Sequence, residues 1–145
     1  MTAPAKAGRE AISEACDRAA ERLRRILPHA DITVVVRFGN VLRQAAHRGR
    51  LRMIYEFPRT LGGVVWRAAE TARTQVVPDV RIDPDYIAVD TSVRSEIAVP
   101  VVAGGAVVAV LNAETPEDAF ADADVEVVEA EASRLGDELE PLYSS

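Results

Sequence analysis

A single cysteine, Cys16, stands among the 145 residues, so no disulfide can close within the chain and a reducing compartment fits best. Only two histidines occur, His29 and His47, and neither has a second histidine or a cysteine at ligand spacing. That argues against a structural zinc site. No apolar run approaches the roughly 20 residues of a membrane helix, and residues 1–8 carry no apolar stretch of signal-peptide character. The chain is therefore expected to be cytoplasmic, or to be excised from a cytoplasmic protein. No glycine-rich phosphate loop and no Ser-His-Asp or Cys-His arrangement stands out.

What is present is ordinary globular composition, with 48% hydrophobic and 28% charged residues, enough to bury one core. With 23 acids against 17 bases the net charge is −6, a poor match for nucleic acid or an anionic membrane. Charge is uneven. Arg18, Arg22, Arg24 and Arg25 crowd the start, and the chain beyond Thr115 is strongly acidic, so the two ends are expected to pair, within one chain or between chains.

The pattern along the chain predicts a single domain over residues 9–145 behind a flexible leader, 1–8. Residues 9–27 are a helix with Ile12, Cys16, Ala19, Leu23 and Ile26 on one stripe, stopped by Pro28. The β-branched run after Asp31 and the stretch 41–47 form a hairpin across Gly39-Asn40. A basic, mixed segment follows around Met53, Tyr55 and Phe57. Residues 62–71 are a short helix, 75–77 a brief strand cut off by Pro78, and 79–94 a polar loop. Two apolar strands, 95–102 and 106–113, flank Gly104-Gly105, a strong hairpin signal. A loop over 115–119 leads to a final helix, 122–142.

In that helix Val125, Val128, Ala132, Leu135, Leu139 and Leu142 step by three and four, a heptad seam. One reading lays it on the chain's own sheet. The other, favoured because the first helix repeats the pattern, makes the two helices a homodimer interface through Leu23, Ile26, Val128, Leu135 and Leu139.

This order of elements resembles GAF domains. The stretch GGVVWRAAETARTQVVPDVRIDPDY resembles the family's glycine-led helix, strand and loop, and SEIAVPVVAGGAVVAVLNAETP resembles its hairpin. The resemblance covers residues 10–143 and implies an α+β, GAF/PAS-like fold: an antiparallel sheet with flanking N- and C-terminal helices and a ligand pocket under loops. The loop 79–100 is most similar to that of the free methionine-(R)-sulfoxide reductases, GAF enzymes that use cysteines. At the positions of their cysteines this chain carries Val65 and Val89. Since sulfoxide reduction needs an attacking thiolate and a resolving thiol, the chain is expected to be non-catalytic. The features of bilin-binding and cyclic-nucleotide GAF domains are missing. His47 is the one candidate haem ligand, more simply a solvated strand-end residue, and no cofactor is expected.

The resemblance places Trp66, Val89, Asp90, Glu96, Asn112 and Glu114 around the pocket; Tyr55, Tyr86 and Arg94 are read either as further rim contacts or as solvated side chains. Trp66 either stacks on a ligand or fills the cavity. Glu96 either pairs with an amine or amino-acid-like ligand or organises the hairpin. The expected function is sensory: a small molecule signals through the terminal helices to a partner or output domain. The alternatives are a non-binding dimerisation module and a degenerate reductase.

Overall fold

The computed structural model describes residues 6–117 and 120–143. Helix α1 (Lys6–Ile26) is followed by strands β1 (Asp31–Phe38), β2 (Val41–Arg48) and β3 (Glu56–Pro58), then helix α2 (Val64–Thr71) and strand β4 (Gln75–Val77). A short 3-10 turn (Val80–Ile82) precedes β5 (Ser95–Ala103), β6 (Ala106–Thr115) and helix α3 (Asp122–Tyr143). The strands form one antiparallel sheet in the order β3-β2-β1-β6-β5-β4. No helix among the described residues is long and apolar enough to cross a membrane. Helix α1 starts at Lys6, inside the segment expected to be a leader; residues 1–5, and the part of the 115–119 loop at 118–119, lie outside the described residues.

Side chains alternate across a strand, and here both faces of the central strands are covered. Ile32, Val34 and Val36 of β1 join Ile97, Val99 and Val101 of β5 and Leu111 and Ala113 of β6 against α1 and α3. The opposite face, with Val35, Ala98 and Val110, packs under α2 and the 79–94 loop. This double cover is why β1 is almost wholly apolar and buried.

The two helical stripes face the chain's own sheet. Leu23, Val128, Leu135 and Leu139 are all buried in the core that α1 and α3 share with the sheet, which corrects their assignment to a dimer interface. Only Ile26, 58% exposed, is left outside that core. The basic and acidic ends do pair, within the chain. Arg22 donates to both carboxylate oxygens of the buried Glu131, at 2.7 and 3.0 Å, and Arg18 pairs with Glu138.

Candidate functional site

Strand register stacks polar residues on the face away from α1 and α3. Asp31 of β1 lies opposite Glu114 of β6, which lies opposite Glu96 of β5. The next row on that face is Thr33, Asn112 and Ala98. Asp31, Thr33, Glu96, Asn112 and Glu114 are all buried. Helix α2 and the loop after β4 cover this floor, leaving a cavity of about 30 Å³, room for one or two water molecules. Val64 and Val65 line it from α2, Phe57 from β3, Tyr86, Ile87 and Val89 from the loop, and Arg52 at its exposed mouth. Helix and loop meet at Gly63. Its φ of +105° is open to glycine, and a Cβ there would stand 3.1 Å from Ile87 Cδ1.

The floor is rich in acceptors. Asn112 Nδ2 donates to Glu114 Oε1 at 3.1 Å, while Asn112 Oδ1 and Thr33 Oγ1 are buried with no hydrogen-bond partner. Burial drives the Glu96 carboxyl well above its ordinary pKa, and the neighbouring Glu114 adds to the shift. Burial likewise moves Glu114 up to about 7, with Asp31 contributing, against the hydrogen bond from Asn112. Asp31 is treated differently: its Oδ2 lies 3.0 Å from His47 Nε2 and accepts from Leu51 N at 2.7 Å. His47 is thus engaged by Asp31 at the sheet end. Among the described residues no group of three His, Cys, Asp or Glu side chains is placed to hold a metal ion.

The sequence matches the GAF domain profile over residues 11–139. The chain belongs to the GAF domain family. Similar solved structures include the type II free methionine-R-sulfoxide reductase of Thermoplasma acidophilum, at 20% identity and TM-score 0.83 over 94% of this chain and 98% of that one. Free methionine-R-sulfoxide reductase of Neisseria meningitidis, in complex with its substrate, is 25% identical, with TM-score 0.75 over 91% of this chain and 77% of that one. A methyl-accepting chemotaxis protein (residues 122 to 287) gives 18% identity and TM-score 0.77 over 90% of each chain. Comparison with curated protein sequences returned no match.

Of the nine residues expected around the pocket of this GAF domain, Tyr86, Val89, Asp90, Glu96, Asn112 and Glu114 line the cavity. Asp90 is occupied by its surroundings: it accepts from Arg52 N at 2.8 Å and from Ser92 N and Oγ at 3.0 and 2.7 Å, bonds that hold its pKa at about 2. Trp66, Tyr55 and Arg94 do not line the cavity. The Trp66 ring is buried with Nε1 donating to the Phe57 carbonyl at 2.7 Å, and the Arg37 guanidinium lies over it at 5.3 Å. Consecutive helical residues point about 100° apart, so Val64 and Val65 take the cavity wall while Trp66 ties α2 to β3. Tyr55 is 60% exposed and borders a separate hollow beside Arg9 and Ile12 of α1. Arg94 acts through its backbone, its N–H donating to Thr115 O at 2.8 Å and its carbonyl accepting from Val80 N at 2.9 Å.

Arg52, Gly63, Val64 and Ile87 are lining residues that sequence reasoning did not place. The helix-leading glycines were visible, but the close approach of Ile87 was not. Val65 and Val89 both face the cavity. Cys16 lies in the core on the other side of the sheet, where burial pushes its thiol pKa up to about 12.

Proposed function

We propose that this GAF domain is a regulatory module that binds a small molecule carrying an ammonium group, and that it does not reduce sulfoxides. The observation that carries the reading is the pair Glu96 and Glu114, buried side by side on the floor of a cavity. Beside them in the cavity lining stands a further buried acceptor without a partner, Asn112 Oδ1. Buried polar atoms are kept without partners at a cost, and a group with several N–H donors and a positive charge satisfies all of them at once. The volume of about 30 Å³ suits such a head group, with the rest of the ligand leaving past Arg52 or lifting the loop.

Occupancy moves the 79–94 loop and the floor strands. Glu96 and Glu114 alternate with Ile97 and Ala113, which lie in the α1/α3 core, so a change in the floor reaches the terminal helices and a partner or output domain. Reduction of a sulfoxide needs a thiolate at the substrate. Valines stand where the reductases carry cysteines, and Cys16 lies across the sheet.

The test is native mass spectrometry of the purified chain with a panel of primary amines and amino acids, alongside an assay for loss of free methionine (R)-sulfoxide with a dithiol reductant. A one-to-one adduct that weakens in either Glu96→Gln or Glu114→Gln and disappears when both are replaced, with no sulfoxide consumed, supports the reading. Consumption of the sulfoxide overturns the non-catalytic half. The small cavity favours a second reading, a GAF module that binds nothing, and the absence of any adduct selects it.

A further inference from the structure

We propose that Glu96 and Glu114 form a proton-for-ammonium exchange site: the empty cavity holds one proton between the two carboxyls, and an entering ammonium group displaces it to solvent. The proposal rests on the ligand reading above and adds what binding does to the protonation of the floor.

The geometry comes first. The two residues are register partners across β5 and β6, so their side chains leave neighbouring backbones on the same face and enter the same cavity. Both carboxyls are hydrogen-bonded by Asn112, which draws them to a common donor. Arg52 at the mouth apart, the charged groups facing them are committed or negative. From β1, Asp31 contributes negative charge and keeps His47 and Arg24 for itself, at 3.0 and 3.7 Å. From the loop, Asp83 and Asp90 add negative charge, while the Tyr86 hydroxyl is hydrogen-bonded to Glu114. From α2, the positive charge of Arg67 reaches Glu96, but its guanidinium is bound to Asp83, Asp85 and Gln75. Arg52 sits at the mouth and is exposed. Among the described residues no salt bridge ends on Glu96 or Glu114.

Two adjacent buried carboxylates with no cation repel one another, and the lower-energy state of such a pair keeps one proton. The elevated pKa values of both groups agree with this. The exchange conserves charge. Before binding, one carboxylic acid and one carboxylate give the floor a charge of about −1; afterwards two carboxylates and one ammonium give about −1 again. One carboxyl O–H bond breaks, its proton passes to water, and the ligand's N–H groups donate to the vacated oxygens. The net buried charge does not change, and the cost of desolvating the ammonium and the second carboxylate is offset by their mutual attraction and the N–H hydrogen bonds. Ligand affinity therefore depends on pH, and the site couples ligand level to proton level.

The test uses the whole chain with glutamate side chains labelled at the carboxyl carbon, followed by NMR from about pH 4 to 9. Ethylammonium is the probe, and tetramethylammonium, equally charged but without N–H donors, the comparison. The expected results are one carboxyl carbon of the pair titrating above about pH 6, an ethylammonium affinity that rises about tenfold per pH unit below that midpoint and levels above it, and no binding of tetramethylammonium. Glu114→Gln, which mimics the protonated form, removes the pH dependence. Carboxyls that both titrate near the ordinary value of about 4.3 overturn the proposal, since no proton is then held. Ethylammonium binding with the same affinity at pH 5 and 8 overturns the exchange and leaves the ligand reading standing. Failure of ethylammonium to bind at any pH, with a carboxyl still titrating high, overturns both.

Discussion

Arg67 on α2 holds Asp83 with both ends of its guanidinium, Nη1 to Oδ1 at 3.0 Å and Nη2 to Oδ2 at 2.8 Å. The same side chain donates to Asp85 Oδ2 at 2.8 Å and, through Nε, to Gln75 Oε1 at 2.8 Å. One arginine thus joins α2, β4 and the loop over the cavity. Its bond to Asp83 is the main reason its own pKa is raised and the Asp83 carboxyl is held below the ordinary range. Tyr86, the next residue but two, roofs the cavity and is hydrogen-bonded to Glu114. The position of the roof therefore depends on this latch.

Arg67→Met keeps the aliphatic stem and removes four hydrogen bonds. Asp83, whose side chain is 11% exposed, is left without its cation, a loss of about 1–3 kcal/mol. The cost falls on the loop and on edge strand β4, where all four of those bonds end. Amide hydrogen exchange over residues 80–93 is expected to accelerate about tenfold or more, while β1 and β6 keep their protection. Unchanged exchange in the loop would show that something other than Arg67 holds it down.

The glutamate pair predicts a fall in stability with rising pH. Both pKa values are raised in the folded state, so above the unfolded value, near pH 4.5, the native protein binds more protons than the unfolded chain. The contribution of Glu114 is complete below that pH and is lost as pH rises through about 7, and that of Glu96 is lost in the same direction. Urea unfolding is expected to give a stability lower by about 1–3 kcal/mol at pH 8 than at pH 5. Glu114→Gln, which cannot ionise, should flatten that slope and raise stability at pH 8. A slope identical in the variant would mean that Glu114 is not the titrating group.

Much of this was legible in the residues. Alternation and turn chemistry placed five of the six strands and both hairpins, because Gly39 and Gly104-Gly105 supply the positive φ that tight turns need, whereas β3 lies in the segment read only as basic and mixed. Six of nine expected pocket residues line the cavity, since they sit on strands or in a loop whose register follows from those hairpins. Trp66 was misplaced for want of a helical phase: the sequence names the α2 residues but not which of them faces the floor. The dimer seam failed for a related reason. A narrow apolar stripe on α3 satisfies either a partner helix or the chain's own sheet, and only the crossing of α3 over β5 decides. Pairing of Glu96 with Glu114 needed strand register across β5 and β6, and its consequence needed the knowledge that, among the described residues, no salt bridge ends on either carboxyl.

Cys16 is predicted to be chemically silent in the folded state. Its thiol is buried in the α1/α3 core with a pKa of about 12, so at pH 8 the thiolate, the reactive form, is about one part in ten thousand. A colorimetric disulfide reagent should leave it unmodified for hours in buffer and titrate one thiol per chain at once in denaturant. Cys16→Ser should lower stability by about 1–3 kcal/mol, because a hydroxyl is buried in apolar surroundings, and should leave ligand binding on the far side of the sheet untouched. Rapid labelling of the native protein would require an opening of the α1/α3 core.

Gly136 lets α3 lie against the far end of β5. A Cβ at that position would come within 2.5 Å of the Val102 carbonyl oxygen, and Val102 is fixed by its pairing with β6. The strand cannot yield easily, so Gly136→Ala must push the helix outward. Two effects of opposite sign then compete. Alanine in a helix interior is favoured over glycine by about 1 kcal/mol, whereas overpacking against backbone costs about 1–3 kcal/mol. The strain should win, because α3 also carries Leu135 and Leu139, fully buried on either side of the contact, and a shift loosens both. The expected outcome is a lower melting temperature, with faster amide exchange in α3 and the end of β5. A variant more stable than the parent would mean that α3 has room to move, and that the seam is not pressed against this sheet.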